Sequence, residues 1–126
     1  MTDTPLRMVA LDLGAESGRA VVGCFDGARL TLEDVHRFPN VPVTMAGTLH
    51  WDFLRLFGEV TAGLRRAAAG GPVASIGVDT WGVDFGLLDA RGRLLAHPVH
   101  YRDRRTEGMP EQAFAVVPRA EIYAAT

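Results

Sequence analysis

The chain has 126 residues, 48% of them hydrophobic and 22% charged, with a net charge of −2 at pH 7. That is enough for one domain with a real core and an ordinary soluble composition. There is no basic footprint for nucleic acid and no apolar run near the roughly 20 residues that span a bilayer. The start, "MTDTPLR", lacks the basic residues and apolar stretch of a secretory leader. Neither nucleic acid nor membrane is therefore expected as a partner. The lone cysteine, Cys24, forms no internal disulfide and is expected as a small buried hydrophobe, in a chain that belongs in a reducing cytoplasm.

All 13 basic residues are arginine. The absence of lysine excludes a Walker A lysine and Schiff-base chemistry. Any phosphate must be held by backbone amides, hydroxyls, arginine or a metal ion.

Met8 to Leu13 reads as a first strand and Arg19 to Phe25 as a second, joined by a short glycine-containing turn. Asp26-Gly27 signals a tight turn into a third, half-buried strand, Leu30 to Phe38. Pro39 to His50 reads as loop. Asp52 suits an N-cap, and Phe53, Phe57, Val60, Leu64 and Ala67 recur at helical spacing as one apolar face. Gly70-Gly71-Pro72 stops that helix, and Val73 to Asp79 follows as a buried parallel strand. Two apolar arms around Asp89 to Gly92 read as an inserted hairpin, Met109 to Val117 as a weaker helix, and Arg119 to Ala125 as a further segment.

The order is a three-stranded antiparallel meander, helix, parallel strand and inserted hairpin. It differs from the Rossmann order. It is the opening half of the ribonuclease-H-like α/β layout of actin-type ATPases and hexokinase-type sugar kinases, a likeness of fold that does not fix function.

Three stretches carry candidate chemistry. In "DLGAESGR" the small-residue turn can present successive N–H groups as an anion nest. Ser17 adds a hydroxyl, Gly18 a free backbone, Arg19 a permanent charge, and Asp12 a carboxylate able to hold hydrated Mg²⁺. An ordinary hairpin with Asp12 and Arg19 as a surface ion pair accounts for the same residues. In "VDTWGVDF" the residues Asp79, Thr80 and Trp81 fall at the carboxyl end of the parallel strand, where α/β sheets place their sites. A ring beside carboxylates suits a sugar. The same residues also read as core aromatics with locally paired acids, or as a glycosidase pair formed by Asp79 and Asp84. "HYRDRRTEG" is either a charged rim over a polar substrate or a solvated loop with local ion pairs. The four histidines lack metal-ligand spacing and are expected to be structural or surface residues.

"ALDLGAESGRAVV", "SIGVDTWGVDFGLLD" and "PVHYRDRRTEGM", with "VHRF" and "GTLHWD" between, resemble in order and spacing the FGGY carbohydrate kinases. "DTWGVDF" followed by "YRDRRT" narrows the likeness to the branch acting on L-rhamnulose. The resemblance implies that residues 1–126 are the N-terminal part of the first kinase domain, without the rest of that domain or the second. It implies MgATP-dependent phosphorylation of the 1-hydroxyl of L-rhamnulose to L-rhamnulose 1-phosphate in L-rhamnose degradation. Asp12 would sit near the transferring phosphate and Mg²⁺, and Ala15, Glu16, Ser17, Gly18 and Arg19 would bind ATP phosphates. Gly82, with Trp81 and Asp84, would face the sugar, and Arg102 and Asp103 would lie near it. The general base, a downstream aspartate in the family, has no counterpart here, so this piece is expected to be inactive alone and to expose a face prone to self-association. Another FGGY ketose kinase and a non-catalytic nucleotide- or sugar-binding module are the competing expectations.

Overall fold

In the computed structural model, residues 5–126 are described; residues 1–4, the start of the stretch read above as leaderless, lie outside them. Strands β1 (Leu6–Leu13), β2 (Ser17–Phe25) and β3 (Leu30–Pro39) form the antiparallel meander. A short pair, β4 (Val43–Met45) and β5 (Thr48–His50), follows. Helix α1 (Phe53–Ala69) then crosses over to β6 (Ser75–Thr80), which pairs parallel with β1. The sheet order is β3-β2-β1-β6. A 3₁₀ turn (Arg104–Thr106) and helices α2 (Met109–Val116) and α3 (Arg119–Ala125) complete the chain. Among the described residues no helix is long and apolar enough to cross a membrane.

Local signals place the boundaries. Asp26 Oδ1 accepts the amides of Ala28 and Arg29 at 2.9 and 2.7 Å, and Gly27 takes φ 97°, closing the β2–β3 turn. Asp52 Oδ1 accepts the Arg55 amide at 3.1 Å, capping α1. At the other end Arg7 donates to the carbonyls of Gly70 and Ala67, placing a cation on the helix C-terminus.

The core lies between α1 and one sheet face: Val9, Leu11, Ala20, Val22 and Ala67, with Cys24, Val35, Val60, Leu64 and Val73 against them. Cys24 is only half-buried there. Gly63 lets helix and sheet approach: a Cβ on it would stand 2.7 Å from that of Ala20.

Three expectations need correction. β6 is parallel but exposed along its whole length, with Val78 62% accessible, because it is an edge strand that α1 does not cover. β3 does not bury one continuous face. A bulge at Val35, where Ala20 pairs with His36 but Val21 with Asp34, turns Leu30 and Leu32 to the uncovered side and Phe38 toward the helix. Phe57, 63% accessible, falls off the helical stripe, which runs through Val60, Gly63, Leu64 and Ala67. The hairpin around Asp89–Gly92 forms but stays short: one bridge, Leu88 to Leu94, is flanked by Asp89 N donating to Arg93 O at 2.8 Å and Leu95 N to Leu87 O at 2.9 Å, and the Asp89 carboxylate closes its turn on the Arg91 and Arg93 amides. Conversely, the stretch read as loop contains β4–β5. Its turn has Ala46 at φ 50° and Gly47 at φ 83°, the two successive positive values of a tight hairpin.

Candidate functional site

The first hairpin is closed by the Gly14 amide donating to Ser17 O at 2.9 Å. A Cβ at Gly14 would stand 2.9 Å from that oxygen, so the closure requires glycine. Asn40, just beyond β3, braces the turn from behind: its backbone N donates to Glu16 O and its Nδ2 to Gly14 O, both at 2.9 Å. Gly18 is buried with the Phe38 ring 2.2 Å from where its Cβ would be. Its small size therefore serves packing beneath the hairpin.

The strand registers align four charged side chains across the sheet. Arg37 pairs with Arg19, Arg19 with Asp12, and Asp12 with Asp79, so one row on the face away from α1 carries two cations and then two carboxylates. Arg19 donates through Nε and Nη2 to Asp12 Oδ2 at 2.9 and 2.8 Å. The ion pair of the simpler reading thus exists. Both partners are close to half-exposed, so its net worth is at most about 1 kcal/mol. Arg19 engages one carboxylate oxygen only, and among the described residues Oδ1 has no hydrogen-bond partner.

Beyond β6 the chain builds an aromatic column. Trp51 stacks on Trp81 at 4.2 Å and on His100 at 3.9 Å, and His100 stacks on Tyr101 at 4.7 Å. Trp51 Nε1 donates to Asp84 Oδ2. An open depression of about 250 Å³ is lined by Leu13, Thr80, Trp81, Asp84, Phe85 and Phe53, among others. Gly82 is exposed, with nothing within 4 Å of a Cβ built on it.

Burial pushes the His100 imidazole below its ordinary pKa, against a smaller opposing pull from Asp84. Its Nδ1 accepts the Arg102 amide at 3.0 Å, a role only the neutral ring fills. Asp103 Oδ2 accepts the Leu49 amide at 2.7 Å and Oδ1 the Arg105 amide at 2.9 Å. Those bonds, Leu49 first, hold its carboxyl below the usual carboxylate range. Asp103 is thus buried and braces β5 against the 3₁₀ turn. Arg102 is exposed, its guanidinium 5.2 Å from the Tyr101 ring centre.

Leu13 is in register with both Gly18 and Thr80, so the hairpin and the start of the tryptophan segment flank the end of β1. Two strand spacings separate them, about 10 Å. Trp81 and Asp84 share the depression with Leu13, whereas Ala15 to Arg19 do not line it, and neither does Asp79. Arg102 and Asp103 sit at the His100 end of the column. Three organising residues were not singled out in the sequence: Asn40, Trp51 and His100. Trp51 stands in "GTLHWD", whose pattern was visible; a single asparagine after a strand carries no such signal. Among the described residues no group of three or more His, Cys, Asp or Glu could hold a metal by itself.

This arrangement defines the class of fold. It resembles a xylulose kinase from Rhodospirillum rubrum (TM-score 0.68, 22% identity, 89% of this chain and 24% of that one) and a gluconate kinase from Lactobacillus acidophilus (TM-score 0.67, 15% identity, 89% and 25%). The chain has the fold of the FGGY-type sugar kinases, a partial ribonuclease-H-like α/β domain.

In sequence the chain is similar to rhamnulokinases. It is 46% identical over 118 residues to the rhamnulokinase of Bacteroides thetaiotaomicron, covering 93% of this chain and 24% of that protein. It is 40% identical over 120 residues to that of Oceanobacillus iheyensis, covering 94% and 25%. The chain therefore spans about a quarter of the length of the curated relatives it matches. No family model matches it.

Proposed function

We propose that this chain supplies the phosphate hairpin and a sugar-facing segment of an ATP-dependent ketose kinase that converts L-rhamnulose to L-rhamnulose 1-phosphate. The observation that carries the reading is 46% identity to a rhamnulokinase across 93% of the chain, on a sugar-kinase fold. The geometry supports it by setting the hairpin and the tryptophan segment on either side of one strand end.

In this reading the amides of Ala15 to Ser17 meet the ATP phosphates and the Ser17 hydroxyl adds a donor. Gly18 seats the turn on Phe38, and Arg19 holds Asp12. Mg²⁺ prefers oxygen ligands, keeps several waters and uses one or two carboxylates plus substrate phosphates. Asp12, with Oδ1 free of any hydrogen bond among the described residues and Asp79 as its register partner on the next strand, fits that partial role. Asp12 would hold such an ion through water and orient that water, and the ion would supply charge to offset the phosphates. Trp81 offers a ring face, Asp84 an acceptor held by Trp51, and Gly82 an open backbone to the ketose. Arg102 reaches the sugar only from the far end of the aromatic column, while Asp103 shapes its loop. Transfer moves the terminal phosphoryl group to the 1-hydroxyl oxygen and requires an acceptor for that proton. Neither Asp79 nor Asp84 is assigned that duty, so the chain alone binds without turnover.

Titration of the ¹⁵N-labelled chain tests this. MgATP is expected to shift Ala15 to Arg19 and L-rhamnulose to shift Trp81, Gly82 and Asp84, while a coupled assay for ADP release stays at background. A nucleotide response with none to the ketose favours a binding module of the same fold. Turnover well above background refutes the need for a base outside this chain.

A further inference from the structure

Asn40 is a buried polar residue, 7% accessible, whose side-chain Nδ2 and backbone N both donate to the first hairpin. We propose that Asn40 is a positioning residue that aims the hairpin's amides toward a phosphate ligand. The inference rests on the phosphate-binding reading above.

The argument begins with the turn. In a closed two-residue hairpin the residues flanking the loop exchange both backbone bonds. Here Gly14 N donates to Ser17 O, but Gly14 O accepts Asn40 Nδ2 at 2.9 Å; among the described residues no bond joins it to the Ser17 amide. Asn40 has taken the place that Ser17 N–H would fill. Its own backbone N occupies Glu16 O in the same manner at 2.9 Å.

Direction follows from the peptide unit. Among the described residues no peptide is cis, and in a trans unit C=O and the following N–H point opposite ways. Binding Gly14 O and Glu16 O to Asn40 therefore turns the amides of Ala15 and Ser17 away from it. The same bonds withdraw two carbonyl dipoles that would repel an anion. Convergent free amides with their carbonyls held back are what an anion nest requires.

The substitution that isolates this is Asn40→Leu, which keeps the shape, adds no charge and removes the side-chain donor. Asn40→Ala is measured alongside in case the leucine variant does not fold. MgATP is the probe, followed through the Ala15, Glu16 and Ser17 amides, with Val22 and Ala67 reporting the core.

Affinity is expected to fall about tenfold, the worth of one hydrogen bond. In the ligand-free variant Gly14 O is released to Ser17 N–H, so exchange of the Ser17 amide is expected to slow. A substitution that merely loosened the fold would speed it. Equal MgATP affinity in wild type and variant, or faster Ser17 exchange, overturns the proposal. No MgATP response in the folded wild type overturns the phosphate reading beneath it, and unchanged Ser17 exchange then also removes Asn40's hold on the turn.

Discussion

Two glycines in one helix make opposite predictions. Gly58 and Gly63 both lie inside α1, where glycine is about 1 kcal/mol less favourable than alanine. A Cβ at Gly58 meets nothing within 4 Å, so Gly58→Ala should stabilise the chain by about 0.5–1 kcal/mol. A Cβ at Gly63 would stand 2.7 Å from the Cβ of Ala20 and 3.6 Å from His36. Ala20 is 1% accessible, and its Cβ is fixed to a central strand, so helix or sheet must shift. Such overfilling costs about 1–3 kcal/mol. The helix gain is common to both substitutions, so the difference between them isolates the strain at the interface. Gly63→Ala should be less stable than Gly58→Ala by about 1–3 kcal/mol, roughly 4 °C per kcal/mol in midpoint. Urea titration followed by circular dichroism, with equal slopes for the variants, measures it. Equal stabilisation by the two alanines would refute the seating of α1 on β2.

Three further outcomes are expected. The depressed carboxyl of Asp103 contributes stability that is present above its unfolded value, about 3.9, and lost as pH falls through the folded value. Protection of the Leu49 amide, taken relative to its intrinsic exchange rate at each pH, should therefore fall in acid, and Asp103→Asn should flatten that dependence; an unchanged profile contradicts the brace. His100, lowered by burial, acts in a neighbouring window: its contribution is complete above the unfolded value near 6.5 and fades as pH falls from there toward the folded value. Imidazole NMR should show His100 still neutral at a pH where a solvent-exposed histidine is charged. Trp51→Phe keeps a ring in the column but removes the donor to Asp84, and should cost about 2 kcal/mol or more in a urea melt; an unaltered melt would remove Trp51 from its central place.

What the sequence disclosed was what neighbouring residues decide. The Asp52 cap, the Asp26-Gly27 turn and the Gly70-Gly71 stop each act within a few positions, and all appear in the structure. The β4–β5 pair escaped notice because its strands are three residues each and its turn is Ala-Gly rather than Asn-Gly or Asp-Gly. The bulge at Val35 escaped because alternation alone does not reveal an extra residue. Apolar composition suggested burial for β6, but burial depends on what covers a strand, and that is not encoded in the strand itself. At the site, the strand-end placement of Asp12 and Trp81 was legible. The bonds of Asn40 and Asp103 span 26 and 54 positions, beyond any local pattern.

The row Arg37, Arg19, Asp12, Asp79 has formal charges that cancel. It therefore exerts little pull at long range, and a charged molecule approaching from afar is not steered by it. Within a Debye length, about 8 Å at physiological salt, the same four groups form a gradient from one strand to the next. Such a gradient sorts the two ends of a dipolar guest without adding to its speed of arrival, so added salt should scramble orientation before it slows encounter.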